Sequence, residues 1–394
     1  MKIAWLTENL LYWNGGTKWI LEISRRLRQR CELKVFTTKA SAENKRIFGE
    51  AGLEVNEFSS TAADNLKYVL LYPYYTWSNI RRLKRLLASY DVLIASSTDL
   101  IASWLNKRTI CICFEPNPWV YSTAFVKSRP LIQRLLAELG RPLVRLYDQS
   151  TIRKAERLVS IDRFNVSRVQ SIYGRVPDVV YAGVDSKLYS RKHNPTLEAV
   201  YSGYEIIIHS SSSLNPVKGT LHLVKALPKI IEQVPNCRLL MLNPTRVERE
   251  QAELMRLAQG LDVVSHIEFL PPIKEEDLPY YYSLAKVVVQ PSIYPGGAHM
   301  PLVEGAACET PGIAFSDSAN AEDIVHGETG FLAPYGDIDA LAQMIVEILK
   351  TPQLREHMGK KAREMAKSLF SWDRNAEIIW NVAQEVTSRP SYII

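Results

Sequence analysis

The chain reads as an α/β protein made of two doubly wound, Rossmann-like domains in tandem. Three observations predict this. Short β-rich apolar runs alternate with amphipathic helical patterns from end to end, which puts helices on both faces of parallel sheets. The 394 residues are enough for two domains, each burying its own core. A polar stretch, Asp185–Tyr201 with Pro195 inside it, separates two such alternations and reads as the linker. The expected domains are residues 1–190 and 200–371. Such a pair sets a cleft between the carboxyl ends of two sheets, where open α/β folds bind ligands.

In the first half, β-branched and apolar runs predict strands at Lys2–Thr7, Leu33–Thr38, Asp91–Ser97, Arg108–Phe114, Leu158–Asp162 and Asp178–Ala182. Helical spacing appears at Lys18–Gln29 and over a long segment near Leu131–Arg157. The second half repeats the scheme, with strands at Glu205–Ser210, Arg238–Asn243, His266–Leu270, Lys286–Gln290 and Gly312–Ser316. Its helices are expected at Gly219–Gln233, Arg246–Gln259 and Ile338–Lys350. No short-period repeat or low-complexity tract interrupts the pattern.

Composition excludes several classes. With 46% hydrophobic and 23% charged residues, disordered, collagenous and coiled-coil chains fall away. The five cysteines are scattered without CxxC spacing, so a disulfide framework or structural zinc is not expected and a reducing compartment fits. Glu8 breaks the apolar N-terminus, which does not read as a signal peptide, and no run of apolar residues is long enough to span a membrane. A cytoplasmic protein is expected. Charge is uneven: residues 1–200 carry 31 Lys and Arg against 18 Asp and Glu, whereas residues 201–394 carry 17 against 24. The first half therefore favours an anionic partner.

Three loops stand between a strand and a helix. Trp13-Asn14-Gly15-Gly16-Thr17 lets main-chain amides approach an anion at a helix start, or forms only a tight turn. Ser211–Gly219 ends in Lys218 at the next helix start, where the helix dipole disfavours a cation unless an anion is present; a merely solvated lysine is the alternative. Pro291–Ala307 runs through Gly296, Gly297, Ala298 and His299 to Glu304. Glu304 suits a ribose diol, or simply steadies its helix. His299 is a candidate sugar contact or a surface residue.

These motifs, with Asp323–Leu332 and Phe370-Ser371-Trp372, occur in an order that resembles the family-4 retaining glycosyltransferases of GT-B fold. The resemblance covers essentially the whole chain and is strongest from Glu205 to Trp372. It implies that Gly15 and Gly16 approach a donor diphosphate, that Lys218 binds it, and that Glu304 holds the nucleotide ribose. It places the loop Gly296–Met300 against the transferred sugar, and carries the last helix, about 372–394, back onto the first domain. The chain departs from the family where Ser213 replaces an arginine and where the first Glu of a Glu-x7-Glu motif is missing. Phe114 replaces a histidine, Pro271 a glycine and Glu309 a glycine. His299 and Glu115 are the polar candidates for the lost catalytic and sugar contacts.

The implied reaction moves a sugar from a nucleotide-sugar donor to a lipid-linked or polysaccharide acceptor with retention, the leaving diphosphate stabilised by Lys218 and main-chain amides. No clustered acids of the Asp-x-Asp type mark a metal site, so no metal and no other cofactor is expected. The first domain would hold the acceptor. Lys67–Leu87 and Trp119–Arg145 mix basic, apolar and aromatic residues and suit an anionic membrane surface, unless their apolar residues face the core. No nucleic-acid module is present. The competing reading is a non-catalytic GT-B binding or scaffolding subunit with a degenerate donor site.

Overall fold

The computed structural model describes residues 1–59, 78–96, 105, 108–127, 130–211, 214, 216–242, 248–293 and 300–388. The chain divides into two compact units, Met1–Tyr181 with Trp372–Ile394, and Ala182–Ser371.

The first unit is built on strands β1 (Lys2–Thr7), β2 (Glu32–Thr37), β3 (Val55–Glu57), β4 (Val92–Ser96), β5 (Arg108–Cys113), β6 (Arg157–Ser160) and β7 (Asp178–Val179), ordered β3-β2-β1-β4-β5-β6-β7. The second holds β8 (Glu205–Ser210), β9 (Cys237–Leu242), β10 (Ile267–Phe269), β11 (Val287–Gln290), β12 (Gly312–Phe315) and β13 (Gly330–Ala333), ordered β10-β9-β8-β11-β12-β13. Every strand pairing among the described residues is parallel. Parallel strands are apolar on both faces because helices cover both. Ile3, Ala4, Trp5 and Leu6 of β1, and Ile206, Ile207 and Ile208 of β8, have no exposure. In both sheets the order reverses beside the first strand, between β1 and β4 and between β8 and β11. Ligands of doubly wound sheets bind at that reversal, outside the carboxyl ends.

The elements β3 and β13 have no counterpart among the strands expected from sequence. Both are sheet edges of three or four residues. The first is polar at two of its three positions, and the second offers only Phe331-Leu332-Ala333 after a glycine, so neither shows a long apolar run. The stretch Asp185–Tyr201 is part of the second unit, and Pro195 starts a helix, Pro195–Val200, instead of marking a loop. Asn194 caps that helix and proline is at home in a first turn. Tyr189 and Tyr201 anchor the stretch in the unit's core.

The last helix, Trp372–Ser388, buries Trp372, Asn375, Ala376, Ile379, Val382, Ala383 and Val386. That is a helical stripe. Around it Arg30 pairs with Glu377 and Arg157 with Glu385, while Asn375 Nδ2 donates to the Tyr181 carbonyl. These partners assign the helix to the first unit.

Candidate functional site

In the second unit the loops after β8 and β11 meet at the reversal of strand order. The turn Pro216–Lys218 follows β8, and its Val217 carbonyl accepts from the Ile293 amide at 3.0 Å and from Ser292 Oγ at 2.9 Å. Gly219 then takes φ +75°, and a Cβ there would lie 1.6 Å from the Pro291 carbonyl oxygen. Only glycine fits this contact between two backbones. The consequence for the site is direct: Lys218 is held half-buried at the start of the helix Thr220–Gln233. Gly219 caps that helix with no side chain, which leaves first-turn amides for an anion.

Buried polar side chains brace the same point. His209, with no exposure, has Nδ1 2.8 Å from the Val289 carbonyl and Nε2 3.0 Å from Thr220 Oγ1. A carbonyl only accepts, so Nδ1 carries the proton and Nε2 accepts from the threonine hydroxyl. Burial, with the Lys218 charge nearby, pushes the His209 pKa down to about 4 and keeps the ring neutral. The imidazole thereby ties β8, β11 and the helix start together. Gln290 Nε2 donates to the Ser210 carbonyl at 2.8 Å, and Asn320 Nδ2 to the Gln290 carbonyl at 2.9 Å.

Glu304 lies in the helix Met300–Ala307 and is buried. The Tyr282 hydroxyl donates to its Oε2 at 3.0 Å. Burial, then the Glu304 charge, raises the pKa values of Tyr282 and Tyr189, so both phenols stay protonated beside the carboxylate. Ser210 is a further hydroxyl neighbour of Tyr282. Glu304 is thus linked through Tyr282 to the end of β8, the strand whose loop carries Lys218. The candidate residues Gly296, Gly297, Ala298 and His299 lie outside the described residues.

In the first unit Gly15 and Gly16 open the helix Gly15–Leu27, with Asn14 Oδ1 accepting from the Thr17 amide at 2.9 Å. The remaining first-turn amides have no acceptor inside the helix. Trp19 on this helix packs edge-on against Phe114, ring centroids 5.5 Å apart, and against Trp5 at 5.8 Å. Glu115 follows Phe114, half-buried, with Oε2 shielded from solvent. The residue before Glu115 thus touches the helix that Gly15 and Gly16 begin. The position of the family histidine has therefore become part of an aromatic cluster.

The structure also accounts for two other sequence features. Glu309, where the family has glycine, takes φ +64° with Arg191 and Arg363 at 3.7 and 3.6 Å. Asp337-Ile338-Asp339 is an Asp-x-Asp pair, but Asp337 caps the helix Ile338–Lys350 through the amides of Asp339 and Ala340. Sequence reasoning passed over His209, Thr220, Gln290 and Tyr282. Polar residues closing the apolar strands β8 and β11 are the signal that marks the first and third.

Residues 199–365 match the family described as glycosyl transferases group 1. That match lies within the second unit, Ala182–Ser371. The chain is 28% identical over 240 residues to the GDP-mannose-dependent monoacylated alpha-(1-6)-phosphatidylinositol monomannoside mannosyltransferase of Corynebacterium glutamicum, covering 58% of this chain and 61% of that one. It is 26% identical over 252 residues to the D-inositol 3-phosphate glycosyltransferase of Kribbella flavida, covering 61% and 59%. The chain thus spans about three fifths of the length of these relatives. In fold it is similar to the Anabaena protein Alr3699/HepE, whose crystal structure is in complex with UDP: TM-score 0.80, 17% identity, 98% of this chain and 100% of that one. The architecture is GT-B, two Rossmann-like α/β units.

Proposed function

We propose that the protein is a retaining, nucleotide-sugar-dependent glycosyltransferase acting on a lipid-linked or polysaccharide acceptor at the cytoplasmic face of a membrane. The observation that carries this reading is the locked loop pair of the second unit, which presents Lys218 beside an open helix N-terminus. Sugar transfer breaks the bond between the anomeric carbon and the diphosphate oxygen, so negative charge collects on the leaving group. A fixed ammonium and fixed main-chain donors stabilise that charge more than they stabilise the ground state. The acceptor oxygen forms the new bond on the same face, and its proton passes to the departing phosphate oxygen. No carboxylate nucleophile is required, in contrast to the two-carboxylate glycosidases.

Glu304, steadied by Tyr282, is assigned to the ribose diol, which identifies the donor without choosing its base. The acceptor assignment rests on the positive charge of the first 200 residues and on relatives that act on phosphatidylinositol mannoside and inositol phosphate. Both acceptors are anionic.

Turnover of UDP-, GDP- and ADP-sugars by the full chain and by Lys218→Ala tests the proposal. One lost charge-assisted contact to the diphosphate is worth about 1.5–3 kcal/mol, so a roughly ten- to hundredfold loss is expected. Turnover that is unchanged in a folded Lys218→Ala protein would overturn it. Metal independence belongs to the same proposal: activity persists in EDTA, and loss restored by a divalent ion would contradict it.

A further inference from the structure

We propose that Tyr12 and Trp13, in the loop that joins β1 to the helix Gly15–Leu27, form the platform on which a sugar ring of the acceptor lies. This rests on the glycosyl-transfer reading above and names the residues that meet the acceptor, together with the part of it they take. Tyr12 is 47% exposed and Trp13 40%. The fold buries Trp5, Trp19 and Trp372, and it sets the Arg30 guanidinium 5.9 Å from the centre of the Trp380 ring. Among the described residues Trp13 has no hydrogen-bond, ring or cation partner. An indole left half bare forgoes the stabilisation that packing would give it.

Exposure alone is common at a loop tip. This loop, however, is pinned on both sides. Leu10 is buried; its amide donates to the Lys39 carbonyl at 2.8 Å, and its carbonyl accepts from the Ser41 amide at 3.0 Å and from Asn44 Nδ2 at 2.7 Å. On the other side Thr17 Oγ1 donates to the Tyr12 carbonyl at 3.0 Å, and the Thr17 amide donates to Asn14 Oδ1 at 2.9 Å. The backbone of Tyr12 and Trp13 is thereby held between two anchors, so the rings are presented without the cost of ordering a loose loop. The loop leaves β1 at its carboxyl end, beside the reversal between β1 and β4 where doubly wound sheets bind ligands.

The chemistry of the loop selects its occupant. Residues 8–16 hold no Lys or Arg. Leu10 is buried and Leu11 half-buried, so Tyr12, Trp13, Asn14 and Gly15 are what faces water. A bilayer or an acyl chain is met by clustered aliphatic side chains, and a nucleic-acid strand by rings interleaved with cations. Neither set stands in this loop. Rings that carry a hydroxyl or an N–H on one edge, beside the Asn14 side chain, match a pyranose. Its C–H face lies on the ring while its hydroxyls reach the polar edge.

The test is saturation-transfer NMR of the full chain with the hexyl glycosides of glucose, galactose, mannose and N-acetylglucosamine, first without any donor. Each probe carries a pyranose and an alkyl chain in one molecule. With the wild type at least one glycoside takes up saturation on its ring C–H protons. Its affinity falls about tenfold in Trp13→Ala, less in Tyr12→Ala, and recovers in Trp13→Phe. Trp13→Ala melts within about two degrees of the wild type, because the side chain it removes is half bare. The glycoside stays bound when UDP- or GDP-sugars are added. Saturation confined to the alkyl chain, binding of no glycoside, or equal affinity in the wild type, Trp13→Ala and Tyr12→Ala overturns the inference. So does displacement by a nucleotide-sugar but not by the bare nucleotide, which assigns the platform to the donor's sugar. Absence of nucleotide-sugar turnover in the wild type, with glycoside binding kept, counts against the glycosyltransferase reading alone.

Discussion

The two units share a strand order around their first strand, yet they finish that plan with different materials. At the β8/β11 reversal, polar side chains join backbone to backbone: His209 to Val289 and Thr220, Gln290 to Ser210, Ser292 to Val217. In the first unit the ends of β1 and β4 set the Thr7 and Ser96 hydroxyls 3.5 Å apart, and the helix Gly15–Leu27 packs through rings, Trp5 on Trp19 and Trp19 on Phe114. The first arrangement depends on direction, because each hydrogen bond ties one named atom to another. The second packs by shape. The contrast teaches that one topology can be finished by hydrogen bonds between loops in one unit and by packed rings in the other.

The sharpest way to break the comparison is to disturb the backbone contact in the second unit. Gly219→Ala adds a Cβ against the Pro291 carbonyl and a left-handed conformation that alanine resists. Together these cost about 3–5 kcal/mol, which lowers the melting temperature of a unit this size by roughly 6–20 °C. Calorimetry of the variant checks this; a change below a degree or two would show that the loops are not locked.

The pH dependence of the two units is expected to have opposite sign. Burial raises the Asp148 pKa to about 6, so its cost is absent below the unfolded value near 4 and grows until the pH passes about 6. His209, pushed down to about 4, is neutral at pH 7; its penalty appears as pH falls below the unfolded value near 6.5. Each contributes up to about 3 kcal/mol across its window. Acidification from pH 7 to 4.5 therefore weakens the second unit while relieving the first. Hydrogen exchange resolved by unit, repeated with Asp148→Asn, measures this. A parallel shift in both units, unaffected by the substitution, would contradict it.

The smallest effect belongs to Glu309. Its φ of +64° suits glycine, and its two arginines stand at 3.7 and 3.6 Å, beyond hydrogen-bond range. Glu309→Gly is expected to stabilise the second unit by about 0.5–1 kcal/mol in urea unfolding, and a loss of stability would show that the ion pairs outweigh the strain.

Much of this was legible in the residues, for reasons that differ from place to place. Strands with an apolar centre such as β1 and β8 announce themselves by their apolar runs, whereas the last helix was expected from the family resemblance alone. Edge strands β3 and β13 do not, because three or four residues leave no pattern. Lys218 and Glu304 were visible because their loops are local motifs. The bracing by His209 and Tyr282 was not, since those contacts join residues far apart in the chain. The two basic, apolar segments show the limit of pattern most clearly. In Arg81–Leu87, Leu83 and Leu87 are buried and the cations exposed; in Leu131–Lys154 the leucines are exposed. Both have helical spacing, and spacing defines a face without saying where it points. The rest of Lys67–Leu87, through Trp77, lies outside the described residues.

The central claim is that the ammonium of Lys218, fixed by Gly219, grips a diphosphate. Calorimetric titration of UDP and GDP into the wild type and Lys218→Ala measures it most directly. At least one nucleotide should bind the wild type and weaken roughly ten- to hundredfold in the variant, with the corresponding monophosphate less affected. Equal affinity in both proteins, with the variant folded, would contradict the account.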